Sequence, residues 1–256
     1  MAKRTQARNR RRQLREINQI DAMERRLERA AMPKIRRELN IIARDALSAY
    51  RIGGQRNAEL TIDGSEQKLS EVLEAVYKRT IKETEKVLKQ NYPKDTKKVE
   101  QVRRELERNF KRQAQVASKQ ISASTKRQID KVVKKGYEDK LSDADIQKKL
   151  EKKIGKNGYR GKIISEVEIG SVTAEGRDKL SKKVYDKDSR KMWVTYRDSK
   201  VRDAHQHAEG QTVDINERFV LRGKRTERTP YPRWRGLSAA QRVNCRCKMI
   251  FLKDGE

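Results

Sequence analysis

Apolar residues recur at intervals of three and four along most of this chain, and that spacing predicts a series of amphipathic helices. Leu14, Ile17, Ile20, Met23 and Leu27 form the first stripe, and Ile35, Leu39, Ile42, Ala46 and Leu47 resume it after Pro33. Two helices are expected, with Pro33 in the first turn of the second, where a missing N–H costs little, and with Gly53 and Gly54 ending it. Asp63 followed by Glu66 reads as the next helix start. Leu69, Val72, Leu73, Val76, Ile81, Thr84 and Leu88 line that helix until residues 91–93 stop it. A longer stripe from Val99 through Leu106, Ala114, Ile121, Ile129 and Val132 begins at Asp95 or Thr96 and reaches about Lys135, and a break between 118 and 125 is left open. Ser142 with Asp145 caps a short helix through Ile146, Leu150 and Ile154, and a last one covers residues 160–184.

After Asp188 the period falls to two. Residues 191–197 alternate with Met192, Val194 and Tyr196 as the apolar set, and residues 245–252 alternate likewise, so both are expected as strands. Between them, 203–209 is a loop or helical turn and 223–236 an exposed loop. The fold class is α+β: an elongated, mostly helical N-terminal two-thirds, then a small C-terminal module with a short antiparallel sheet. Three blocks follow, a basic arm over 1–16, disordered or facing DNA, a helical region over 17–113, and a domain over 114–256 with helices to 184 and the strand module at 190–256.

Charge sharpens that picture. Charged residues are 40% and hydrophobic ones 34% of the chain, a balance that favours narrow apolar stripes over one thick core. The 65 Lys and Arg against 37 Asp and Glu leave a net charge of +28, more than solubility asks, and duplex DNA is the expected counterpart because each phosphate contact releases counterions. A solvated, charge-laced surface would explain scattered cations equally well. For the cluster Lys3, Arg4, Arg8, Arg10, Arg11, Arg12 and Arg15 nucleic acid is the better reading, and its removal is expected to lower the salt dependence of DNA binding. Tyr77, Tyr92 and Phe110 fit core packing better than base stacking. No run of about 20 apolar residues is present to span a membrane, and the basic opening lacks the hydrophobic segment of a secretory signal, so a cytoplasm-like compartment is expected.

Both histidines and both cysteines lie in the last quarter of the chain. Cys245 and Cys247, two apart on a strand, would present both sulfurs to one face. With His205, and with His207 as a fourth ligand if that turn is extended, they can form a tetrahedral zinc site. The alternative is a buried cysteine pair beside a histidine bonded to backbone. Glu166 and Glu168 diverge around their helix and are expected to be exposed or ion-paired. His205, Asp198, Asp203 and a thiol are also ingredients of a metal-dependent nuclease, but no phosphate loop, nucleophile elbow or H-E-x-x-H motif accompanies them.

The order W-V-T-Y-R-D-S-K-V-R-D-A-H-Q-H-A-E-G-Q-T-V, a Pro-containing loop and N-C-R-C resembles the C-terminal signature of the Mu-F-like minor head proteins, or head morphogenesis proteins, of tailed bacteriophages. A weaker likeness through S-D-A-D-I-Q-K-K-L and I-I-S-E-V-E-I-G-S-V extends it to about the last 140 residues. Trp193, Asp198, Arg202, Gly210, Asn244 and Arg246 are the structural positions of that signature, with Gly210 read as a turn residue needing positive φ. Asn244 and Arg246 are expected to pin the last strand to the turn at 202–210. The resemblance implies a structural virion protein and no enzyme. It implies a few copies built into the head near the portal vertex, contact with portal or other capsid proteins and a part in head assembly or DNA delivery, with host cytoplasm the place of assembly. The residues add a division of labour, the C-terminal module docking on protein while the basic arm and helices face packaged double-stranded DNA. A free-standing nucleic-acid-binding protein and, behind it, the nuclease are the rival readings.

Overall fold

The computed structural model describes residues 2–155, 158–185 and 188–252, with the side chains of 2–10 and 12 outside that description. Its element order is α1 (Ala2–Gly64), α2 (Glu66–Asn91), a 3-10 turn (Pro93–Asp95), α3 (Thr96–Glu138), α4 (Asp143–Lys153), α5 (Arg160–Val184), β1 (Arg190–Val194), α6 (Asp203–Gln206), β2 (Thr212–Asp214), β3 (Phe219–Arg222), β4 (Thr226–Thr229), α7 (Ala239–Arg242) and β5 (Lys248–Leu252). The α+β expectation holds.

The helical stripes are largely buried where the spacing put them, apart from Leu14, which is exposed, and Val72, which is half-buried. Pro33 does not divide α1: it is exposed within the helix, on a side where water can meet the carbonyl it leaves unpaired. The dihedrals leave the helical region at Gly53 (φ −146°) and Gly54 (φ 69°, ψ −161°) instead. That second conformation is open to glycine almost alone. Helix resumes to Gly64, where the sequence suggested none. The basic leader is helical from Ala2 and not a coil, and its end is anchored, since Gln13 and Glu16 are buried. Ser142 caps α4 as expected, its side chain accepting from the Asp145 N–H.

The chain packs as two compact units. One comprises 1–26, 80–107 and 167–256, the other 27–79 and 108–166, so each of α1, α2, α3 and α5 is long enough to serve both. In the second unit, Ile35, Leu39, Ile42, Leu69, Leu73 and Tyr77 of α1 and α2 are buried, as are Ile121, Ile129 and Val133 of α3 and Ile146 and Leu150 of α4. Gly136 lies so close to α4 that a Cβ would meet Ile146 at 2.5 Å.

The first unit holds the strands. Its three-stranded sheet has the order β2-β1-β5, with β1 antiparallel to both neighbours, and β3 and β4 form a separate antiparallel pair. The inward face of β1 is the opposite of the one the alternation suggested. Lys191, Trp193 and Thr195 are buried, Met192 and Val194 are half-buried and Tyr196 is exposed. A buried lysine makes this possible: Lys191 Nζ donates to Pro230 O at 2.8 Å and lies 3.3 Å from Asp178. The 223–236 stretch is likewise only partly a surface loop, because Thr229, Tyr231, Pro232 and Arg233 are buried.

Candidate functional site

His205, Cys245 and Cys247 converge in the first unit, all three buried, and their ligand atoms lie within 4.8 Å of one another. Three features of local chain geometry bring them together. The turn that carries His205 is helical, with His205 N–H bonded to Arg202 O. It is held against β1 by Gly210 N–H to Trp193 O at 3.0 Å and by Trp193 N–H to Gln211 O at 2.9 Å. Gly210 has φ 74°, the positive value expected of it. On the other side Asn244 adopts φ 56°, turning the chain so that Cys245 and Cys247 enter the core just before β5.

The cysteines therefore share a site without lying on a strand, which starts only at Lys248. His207 does not join them. In a helical turn, residues two apart diverge, and His207 is exposed with its Nδ1 2.8 Å from Asp203 O.

His205 Nδ1 lies 3.3 Å from Cys247 Sγ and 3.7 Å from Cys245 Sγ. Its Nε2 is 3.0 Å from Gln241 Oε1. An amide oxygen only accepts, so Nε2 carries the proton and Nδ1 turns a lone pair toward the sulfurs. The Cys247 S–H donated to Cys245 pulls the Cys245 thiol well below its ordinary range against the effect of burial, with His205 and Arg233 adding to the pull. Cys247 is pushed up, first by holding that proton for Cys245 and then by burial.

Around them, Trp193 is fully buried, with its ring edge-on to His205 at 5.5 Å and to Phe219 at 5.3 Å. Its indole N–H has no oxygen or nitrogen partner among the described residues, and its influence falls on Cys247, whose thiolate it favours. Arg233, which the sequence did not single out, donates to Cys245 O and to Glu24. Its own carbonyl accepts from Ser171, and its φ is 64°. The nearby Pro230 and Pro232 were the one hint that this backbone is fixed.

The remaining signature residues brace the same region. Arg246 donates to Asp198 at 2.6 Å and lies over the Tyr196 ring, while Arg202 donates to Val243 O. Asp198 is held below its ordinary range, chiefly by the Arg246 hydrogen bond. So Arg246 pins the start of β5 to the loop before α6, and Arg202 ties the α6 turn to the chain preceding the cysteines. Glu166 and Glu168 are ion-paired, with Lys162 and Arg235. The burial of His205, 1% exposed, leaves no approach for a phosphodiester and weighs against a nuclease centre there.

The basic surface is clearest on α3. Between residues 108 and 135 the single acid is Asp130, which accepts from Gln55 at 2.8 Å. Arg108, Lys111, Arg112, Lys119, Arg127, Lys131, Lys134 and Lys135 are exposed there, and none forms an ion pair with a described residue. Of the leader, Arg11 and Arg15 are exposed. The side chains of Lys3, Arg4, Arg8, Arg10 and Arg12 lie outside the described residues.

Residues 127–250 match the sequence model of the family described as Phage Mu protein F like protein. A 66-residue stretch is 38% identical to NAD(+)--arginine ADP-ribosyltransferase EFV of Enterococcus faecalis. That match covers 26% of this chain and 13% of the relative, so the chain spans only a small part of the curated protein it resembles. No solved structure matches the chain.

Proposed function

We infer, from the membership of residues 127–250 in the Phage Mu protein F like family, that this chain is a head morphogenesis protein, a minor structural component of a tailed-phage head. On this reading its neighbours are the portal and inner-shell proteins, and its place is the inside of the head near the portal vertex. The stretch shared with the ADP-ribosyltransferase is an eighth or so of that protein, and no transferase chemistry is assigned here. Among the described residues no helix is long and apolar enough to cross a membrane.

The observation that carries the DNA-facing role is the run of exposed cations along α3. Eight exposed Lys and Arg side chains lie along 28 residues, about 40 Å of helix. None of them is offset by an ion pair with a described residue, which leaves the charge available for phosphates. Cations on the surface of such a helix contact backbone and not base edges, so binding is independent of sequence. The C-terminal module, braced by Arg246 and Arg202, is the rigid part suited to docking on capsid protein.

Titration of labelled duplexes of unrelated sequence tests this reading. Affinity should be alike for all of them and should fall by about 1,000-fold or more between 50 and 200 mM salt if six or more phosphates are contacted. Binding that is indifferent to salt, or confined to one sequence, would overturn it.

A further inference from the structure

We propose that His205, Cys245 and Cys247 bind one zinc ion, which ties the α6 turn to the start of β5. The spacing of the donors is that of a metal site. Tetrahedral zinc with Zn–S of about 2.3 Å and Zn–N of about 2.0–2.1 Å places an imidazole nitrogen about 3.6 Å from each sulfur. Here the two separations are 3.3 and 3.7 Å. Two thiols and an imidazole are also the donor set that selects zinc over hard cations.

The surroundings are those of a ligand shell. Gln241 fixes the tautomer that bares Nδ1, as carbonyl or amide partners do for metal-bound histidines. The Trp193 N–H, buried without an oxygen or nitrogen partner, is placed to donate to a thiolate sulfur. Binding breaks both S–H bonds and forms two Zn–S bonds and one Zn–N bond. The two protons leave to solvent, the imidazole gives up none, and the completed centre is electrically neutral. The fourth position of the tetrahedron is left to a water.

Cobalt(II) titration of the reduced full-length protein tests this directly. One equivalent should saturate the site with a thiolate-to-cobalt charge-transfer band and the intense visible bands of a tetrahedral ion, and one equivalent of zinc should abolish both. Cys247→Ser should lose the charge-transfer band or reduce it by half. Gln241→Ala, through misorientation of His205, should weaken metal binding by about 10- to 100-fold, and His207→Ala should bind as the native protein does. Because the native protein alone gives the decisive reading, a variant that fails to fold does not obscure the result. A reduced native protein with its secondary structure intact that takes up no cobalt would overturn the site, and so would a loss of binding in His207→Ala as large as that in Cys247→Ser.

Discussion

Arg177 Nε lies 2.8 Å from a carboxylate oxygen of Glu16, and the two side chains are 3% and 1% exposed. Glu16 also accepts from Tyr92, and Arg177 from the other side donates to Met249 O. Burial alone would lower the Arg177 pKa, but Glu16, with Tyr92 and Tyr185 adding to it, outweighs burial and raises the guanidinium pKa. Removal of one partner strands a charge in the core. Arg177→Met should therefore cost about 3–5 kcal/mol in chemical denaturation, and combining it with Glu16→Leu should restore most of that loss.

That contact also changes how the leader should be tested. Deleting residues 1–16 would remove the buried Glu16, together with Gln13, which exchanges hydrogen bonds with the Phe251 backbone, so weakened DNA binding would be confounded with unfolding. Deletion of 1–10 avoids both. On α3, Lys131→Glu, Lys134→Glu and Lys135→Glu together should reduce the slope of log affinity against log salt by about three. Stability should change little, since these side chains are exposed and form no ion pair with a described residue.

Acid should loosen the first unit through Glu24. Burial tends to raise its carboxyl, but Lys248 and Arg233 outweigh that and lower it below 4.5. Lys248 Nζ is 2.8 Å from Glu24 and 2.9 Å from Asp21. A depressed carboxylate contributes stability that is present above its unfolded value and lost as pH falls through its folded one. Denaturation midpoints should therefore decline below about pH 4.5, and Glu24→Gln should be less stable at pH 7 with a shallower decline in acid.

Two glycines should respond for different reasons. A Cβ on Gly170 would lie 1.6 Å from Arg233 Nη1, so Gly170→Ala must displace a guanidinium that bonds Glu24 and Cys245 O. A loss of about 2–3 kcal/mol or more is expected from the unpaired groups it leaves. Gly210→Ala meets nothing within 4 Å but keeps φ at +74°, so its cost should be the backbone penalty of about 1–2 kcal/mol. Thermal or denaturant unfolding of the two variants separates steric from dihedral effects.

The helices were legible because a narrow stripe at helical spacing survives any detail of packing: the bounds of α5 and the Ser142 cap were read directly. β1 was not, because period-two reasoning assigns a lysine to solvent. Lys191 is buried, with burial lowering its pKa and Asp178 opposing that, and its partner lies 13 residues away on α5, beyond any local signal. The cysteine and histidine cluster was visible as chemistry, yet its geometry rests on Asn244 in a left-handed conformation and on a helical turn at α6. Those features admit His205 and exclude His207. Arg233 was invisible because its role comes from Glu24 and Ser171, far off in sequence, and the two compact units could not be read because single helices serve both.

The most direct measurement is the protein composition of purified phage heads, taken by quantitative mass spectrometry alongside the lysate that produced them. The chain should be present at a small, fixed number of copies per particle and remain with the head after washes that strip loosely bound DNA-binding proteins. Abundant chain in the lysate with none in washed heads would contradict a head protein and leave a free-standing nucleic-acid-binding protein in its place.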